Sequence, residues 1–395
     1  MELWGKIEDI RLERVEQMQI TVLGAGLVGR AIVEDLAREP DVLVTVVDRS
    51  REALAGLEEN SRVKGIRADL GERGSIAKLV ADGDLVISAV PGSMGFQTLK
   101  EILEVGRSVV DISFFEEDAF LLDDLAKSKG VTAVVDCGVA PGLCNILAGH
   151  VDSLLDQVDR YVCYVGGLPL IRRWPFEYRA VFSPADVMEE YTRPVHLVEY
   201  GKEVVRPALS DVELRDFPGV GTLEAFNTDG LRSLTKTIKA PFMIEKTLRY
   251  PGHAHLMRIF RESGFFSTTP CEIGGQKVVP MALTSELFFK QWKLEEGEED
   301  FTVMQVELEG KKGDKRCRYT YDLLDRYDQV TRTTSMARMT GYTCTIIARQ
   351  VYGGEISSPG ICPPELIGRR ENAFNGLLEG YKERNIQLTE TIVKL

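Results

Sequence analysis

Residues Gln19 to Asp48, QITVLGAGLVGRAIVEDLAREPDVLVTVVD, decide the fold of this chain. Ile20 to Leu23 is an apolar run of strand length that breaks into Gly24, Gly26 and Gly29, the G-x-G-x-x-G spacing. Ala31, Ile32, Leu36 and Ala37 then recur at helical intervals, and a second apolar run, Leu43 to Val47, ends on Asp48. In such a unit the first glycine allows the tight turn, the second lets backbone approach a pyrophosphate, and the third lets the helix pack closely on the strand. Free amides at the helix start face the phosphates. The spacing therefore predicts a dinucleotide site on Gly24, Ala25, Gly26, Leu27, Val28 and Gly29. Asp48 lies nineteen residues beyond Gly29, the expected separation for a carboxylate that binds the adenosine ribose hydroxyls. Such a carboxylate repels a 2'-phosphate and predicts NAD rather than NADP, although Arg49 and Arg51 stand ready to meet a phosphate.

Downstream, strand-like and helical stretches alternate to residue 136, which predicts a doubly wound parallel sheet with its ligand crevice at the carboxyl ends of the strands. Asp69 ends a short strand, Val63 to Ala68, where an adenine ring is met. Ala89, Val90 and Pro91 close the buried run that begins at Asp84. The strand ends Asp111 to Phe114 and Asp136 to Pro141 complete the crevice, with Cys137 and Gly138 beneath a nicotinamide. From about residue 159 the pattern shifts to period-two alternation in DRYVCYVGGLP, FEYRAVFS, GTLEAFNTDG, FMIEKTLRYPGH, FTVMQVELEG and KRCRYTYDLLD, the mark of a largely antiparallel sheet. Ser183 to Leu197 and His255 to Glu262 read as helices, as does Thr334 to Tyr352. The expected organisation is an extension over 1–17, a Rossmann domain over 18–140, an α+β domain with a mixed, largely antiparallel sheet over 141–333, and a helical segment over 334–395 that returns to the Rossmann domain.

The chain has 395 residues, 44% of them hydrophobic and 28% charged, ample for more than one core. A formal net charge of -13 argues against general binding to nucleic acid or anionic membrane, which reward clustered Lys and Arg. The absence of a long apolar run and an acidic amino terminus predict a cytoplasmic protein. Seven cysteines form no C-x-x-C pair and four histidines show no zinc-site spacing, so no metal is expected. Charged residue types converge in KTLRYPGHAH, Lys246 to His255, where Arg249 suits a bidentate carboxylate clamp. In EAFNTDGLRSL, Glu224 to Leu234, turn chemistry alone accounts for Asn, Asp and Gly.

GAGLVG, DCGVAPGLCNILAGH, YVGGLP, FEYRAVFS, LEAFNTDG, KTLRYPGHA and GICPPE together resemble the saccharopine dehydrogenase family, and most closely its lysine 6-dehydrogenase branch. The likeness runs from about residue 19 to about residue 385. It implies a Rossmann domain, an inserted mixed-sheet domain through which dimers form, and a carboxy-terminal helix returning to the first domain. It further implies NAD-dependent oxidation of the ε-carbon of L-lysine, with release of ammonia and a semialdehyde that cyclises to Δ1-piperideine-6-carboxylate. The departure is at FSPADVM, Phe182 to Met188, where saccharopine reductases carry an Arg soon after the serine and this chain has Pro184 and Ala185. That favours a substrate with one carboxylate. Hydride loss requires the ε-ammonium to give up a proton first; His253 is the first candidate base, with Asp111 and Asp136 as alternatives. Arg249 is expected at the α-carboxylate, and Tyr178, Thr228 and Cys137 as polar lining. Reductive condensation, as in saccharopine or carboxynorspermidine synthesis, and a catalytically inactive NAD-binding sensor stand as alternatives.

Overall fold

The computed structural model describes residues 17–72, 74–180, 184–295 and 297–395. The expected extension, residues 1–17, thus lies outside the described residues except for Gln17. From Met18 the chain alternates as its periodicity requires: β1 (Met18–Leu23), α1 (Leu27–Leu36), β2 (Val42–Asp48), α2 (Arg51–Leu54), β3 (Val63–Arg67), α3 (Ser75–Leu79), β4 (Leu85–Ser88), α4 (Gly92–Val105), β5 (Ser108–Asp111), α5 (Asp123–Lys129) and β6 (Thr132–Val134). The strands lie parallel in the order β3-β2-β1-β4-β5-β6. Helices cover both faces, so β1 and β4 are apolar almost throughout rather than alternating. The order reverses between β1 and β4, and their diverging carboxyl ends open a crevice there.

α6 (Leu143–Leu154) leads into a second sheet. It holds β7 (Gln157–Pro169), β8 (Val195–Glu199) after α7 (Pro184–Glu190), β9 (Lys202–Arg206), β10 (Glu213–Phe217) and β11 (Gly221–Asn227). After α8 (Leu234–Thr237) come β12 (Phe242–Arg249), α9 (His253–Glu262), a separate hairpin of β13 (Cys271–Ile273) and β14 (Gln276–Val278), α10 (Pro280–Trp292), β15 (Asp300–Lys312) and β16 (Lys315–Arg326). The sheet runs β10-β11-β12-β7-β15-β16, with β8 and β9 attached beside β12. Its pairings are antiparallel except for β12 on β7, which is parallel and sets Glu245 opposite Cys163 and Thr247 opposite Val165. β7 is central and buried along most of its length, whereas β16 alternates buried and half-buried residues.

The remaining elements are α11 (Ser335–Tyr352), β17 (Gly360–Cys362), α12 (Pro364–Gly368), α13 (Glu371–Glu383) and β18 (Leu388–Lys394). α11 packs on α1, where a side chain at Gly341 would press on Ile32 and Ala31. The contact is locked by buried Asp35, whose carboxylate accepts from Thr345, Arg349 and Arg384 at 2.6 to 3.1 Å. Three expectations are corrected. The carboxy-terminal segment is not purely helical: β17 extends the first sheet beside β6, and β18 pairs with β16 of the second. β17 escaped notice because its three residues sit among Gly and Pro, which read as turn. Residues 176–180 of FEYRAVFS form no strand, since Phe176 and Tyr178 instead turn into an aromatic cluster around Trp292. The helix expected over Ser183 to Leu197 ends at Glu190, and Pro194, which cannot continue it, precedes β8.

Candidate active site

The carboxyl ends of the first sheet face β7, β12 and α7 across a cavity of about 830 Å³. At one end lies the glycine turn. A Cβ at Gly24 would sit 2.4 Å from the Ala89 carbonyl oxygen and one at Gly29 2.1 Å from the Gly24 carbonyl oxygen, so packing forbids a side chain at either. A Cβ at Gly26 would meet nothing within 4 Å, because this residue faces open cavity. That is the arrangement a pyrophosphate requires: bare backbone at a helix start with room in front of it. Asp48 accepts from the Ala25 amide at 2.8 Å and the Ser50 amide at 2.7 Å, which fixes its carboxylate beside the turn. Gly24, Gly26, Leu27, Val28, Gly29, Asp48, Arg49, Asp69, Ala89, Val90, Pro91 and Gly138 all line the cavity; Ala25 enters only through its amide.

The other end is rich in carboxylates. β12 presents Glu245, Thr247 and Arg249, and α7 with the turn after it presents Asp186, Glu189, Glu190 and Arg193. Asp136, Thr228 and Asp229 close the wall. Most of these charges are already matched. Arg249 donates to Glu190 at 2.6 Å, Arg193 pairs with Glu189, Asp136 receives Arg232 at 3.2 Å, and Asp229 accepts from the His196 amide at 2.9 Å. Glu245 differs, since among the described residues no cation pairs with it. Its side chain meets the Cys144 thiol, with Sγ 3.9 Å from Oε2, and it crowds Gly230 so closely that a Cβ there would overlap the carboxylate. Burial, then the charges of Asp229, Glu190 and Asp136, push Glu245 up to about 8. Arg249 Nε and Arg193 Nη1 are buried donors without a hydrogen-bond partner among the described residues.

Of the residues proposed for chemistry, the structure brings Asp136, Arg249 and Thr228 to the cavity and leaves His253, Asp111, Tyr178 and Cys137 behind its walls. His253 is buried, its two ring nitrogens engaged by the Phe176 carbonyl at 3.0 Å and the Tyr191 hydroxyl at 2.9 Å. Burial and the neighbouring Arg249 lower it to about 3, so it remains neutral and occupied. Asp111 is one layer back, accepting from Ser113 at 2.8 Å, and burial raises it to about 7 against the hydrogen bonds of Ser88 and Ser113. Tyr178 lies under the Arg249 guanidinium, 4.5 Å from ring centroid to Cζ. Cys137 is fully buried with its thiol pushed up by that burial. The expected departure at Pro184 and Ala185 has its side chains outside the described residues.

Sequence reasoning missed Glu245, Thr247 and the acidic residues of α7. A signal existed: residues 245, 247 and 249 share one face of a strand, and 186, 189, 190 and 193 stand at helical spacing. Period two applied from Arg249 backwards selects Glu245, whereas Lys246, singled out for its charge, points away to Asp211 at 2.8 Å.

Residues 20–134 match the model described as Saccharopine dehydrogenase NADP binding domain, and residues 138–386 match that described as Saccharopine dehydrogenase C-terminal domain. The saccharopine dehydrogenase [NADP(+), L-glutamate-forming] of Schizosaccharomyces pombe is 22% identical over 95% of this chain and 99% of that protein. Alpha-aminoadipic semialdehyde synthase of Arabidopsis thaliana is 24% identical over 75% of this chain, which spans only 32% of that longer protein. The apo saccharopine dehydrogenase (L-Glu forming) of Saccharomyces cerevisiae superposes with a TM-score of 0.78 at 19% identity, covering 95% of this chain and 100% of that one, a likeness of fold.

Proposed function

The chain belongs to the saccharopine dehydrogenase family of amino-acid oxidoreductases, and on that premise we propose that it oxidises the terminal amine-bearing carbon of a basic amino acid, most simply L-lysine, with NAD. The observation that carries this reading is Glu245: a buried carboxylate on the cavity wall with which no cation pairs among the described residues, while Glu190 and Asp136 beside it are ion-paired. A buried charge without a partner is costly, and a substrate ammonium supplies one. Arg249 and Arg193, each with a buried guanidinium nitrogen to spare, suit the single carboxylate at the other end of the substrate.

The glycine turn and Asp48 support the cofactor, and a bound nicotinamide dinucleotide supplies the hydride acceptor. The residues do the rest. Ionised Glu245 draws the ε-ammonium into the cavity and takes its proton, leaving a neutral amine whose carbon can release hydride. Thr228 and Thr247, mutually hydrogen-bonded at 2.9 Å, flank that carboxylate and hold polar groups toward the substrate. Asp136, fixed by Arg232, adds negative potential that stabilises the positive charge developing on the iminium nitrogen. Hydrolysis of the iminium then releases ammonia and leaves the semialdehyde.

The second reading is a saccharopine-type reaction, favoured by the names of the relatives, of which that of the Schizosaccharomyces pombe protein also carries NADP(+). Rates of NADH and NADPH formation with lysine, ornithine, diaminopimelate and saccharopine separate the two. Lysine turnover with NAD is expected, and turnover of saccharopine alone would sink the first reading.

A further inference from the structure

The sequence shows no metal-ligand spacing, yet the fold assembles a ligand cluster from three distant segments. Cys144 is the second residue of α6, and Cys163 on β7 lies in register beside Glu245 on β12. Their two sulfurs and one carboxylate oxygen all fall within 4.8 Å of one another, and all three residues are buried. We propose that Cys144, Cys163 and Glu245 form a site for a thiophilic divalent cation of the zinc class, immediately behind the substrate cavity.

The geometry is close to what such a cation needs. Tetrahedral zinc, with bonds of about 2.3 Å to sulfur and about 2.1 Å to oxygen, holds its ligand atoms roughly 3.5 to 3.8 Å apart. The Cys144 sulfur is already 3.9 Å from the Glu245 oxygen, so small side-chain movements complete the set. The fourth position is offered by Tyr161, two residues before Cys163 on the same strand face, whose buried hydroxyl has no hydrogen-bond partner among the described residues. Two sulfurs exclude the hard cations, which select oxygen, and point to zinc or its thiophilic analogues. Entry runs through the cavity that Glu245 lines.

Binding releases a proton from each thiol, and from Glu245 where it is protonated, so affinity rises with pH. The bound cation also takes the carboxylate on which a cationic substrate depends; this consequence rests on the proposed function, and it makes the site inhibitory and competitive with substrate.

The test uses the full chain, freed of metal by chelation and titrated with cadmium. A cadmium-thiolate charge-transfer band should saturate at one cation per chain, persist in Cys271→Ser, whose cysteine is exposed, and vanish in Cys144→Ser and Cys163→Ser. Glu245→Gln should weaken cadmium binding by about tenfold or more. No band in the unaltered protein, or a band that survives loss of both cysteines, overturns the site. Should the serine variants fail to fold, X-ray absorption of the zinc-loaded native chain decides instead: two sulfur neighbours support the site, and a shell of oxygen and nitrogen alone overturns it. A cation bound through both sulfurs that inhibits without competing with substrate upholds the metal site and overturns the substrate role of Glu245.

Discussion

The two ends of the cavity are built by opposite means. The dinucleotide end is local: Gly24, Gly26 and Gly29 lie in one turn, and Asp48 ends the next strand and hydrogen-bonds back to Ala25. Its chemistry is backbone geometry, which tolerates few alternatives. The substrate end is assembled from α7, β12 and the loops after β6 and β11, and it works through side chains whose charges balance one another. On the proposed function the first end sets the kind of reaction and the second its substrate, so substitutions at the two should separate cofactor affinity from substrate turnover.

The largest separation is expected from Glu245→Gln. The amide keeps the shape but neither pairs with an ammonium nor accepts its proton, so kcat/KM should fall about 100-fold or more, with NAD affinity unchanged. The unaltered enzyme should also gain kcat/KM as pH rises through about 8, where Glu245 ionises, and the variant should lose that limb. For stability the sign is the reverse. The folded chain holds this proton between the ordinary 4.5 and about 8, so Glu245 favours the fold most at low pH and less as pH rises through 8. An unchanged kcat/KM in the glutamine variant would transfer the proton to Asp136 and remove the central contrast between the two ends.

Next in size is Gly26→Val, aimed at the other end. Its side chain would enter the open space in front of the turn and displace a phosphate. Hydrogen bonds to charged groups are worth ~1.5–3 kcal/mol each, so dinucleotide affinity should fall by more than about tenfold. Fluorescence titration with NADH measures it, and an affinity within a factor of about two would place the pyrophosphate elsewhere. Smaller still is Asp48→Ser, which removes the charge facing a 2'-phosphate. At about 4 Å, a unit repulsion is worth ~1 kcal/mol in water and more where solvent is excluded, so the NAD to NADP preference should move toward NADP by about fivefold to tenfold. No movement would mean that Arg49 sets the preference.

The same contrast explains what the sequence disclosed. The glycine turn, the parallel sheet and the cavity-lining Asp69, Ala89 and Pro91 were legible because each depends on neighbours within a few tens of residues. Arg249 was legible as a chemical type in a charged strand. Glu245 was not, because its significance lies in the lack of a cationic partner among the described residues, and partners are set by pairing between β12, β7 and β11. Cys144 and Cys163 read as ordinary core thiols for the same reason. β17 and β18 were hidden by shortness and exposure, and only the sheets they join give them meaning.

The smallest effect on turnover should come from His253, the residue that looked most like a base in the sequence. In the fold it joins the Phe176 carbonyl to the Tyr191 hydroxyl and sits beside Tyr178, behind the layer that carries Arg249. Its acceptor nitrogen is taken up by Tyr191, and a group lowered to about 3 is a poor proton acceptor at neutral pH. His253→Gln can keep one of the two hydrogen bonds, so kcat should change by no more than about threefold, while loss of the other should cost ~1–3 kcal/mol of stability. The pH dependence follows from the sign of the shift. Between about 3 and the ordinary 6.5 the unfolded chain binds this proton and the folded chain does not, so stability is full above 6.5 and lost as pH falls toward 3. The glutamine variant should therefore melt lower near neutrality yet lose less on acidification. Melting curves from pH 4 to pH 8 beside single-turnover rates test both statements, and a kcat that drops about 100-fold at unchanged melting temperature would restore His253 to the chemistry.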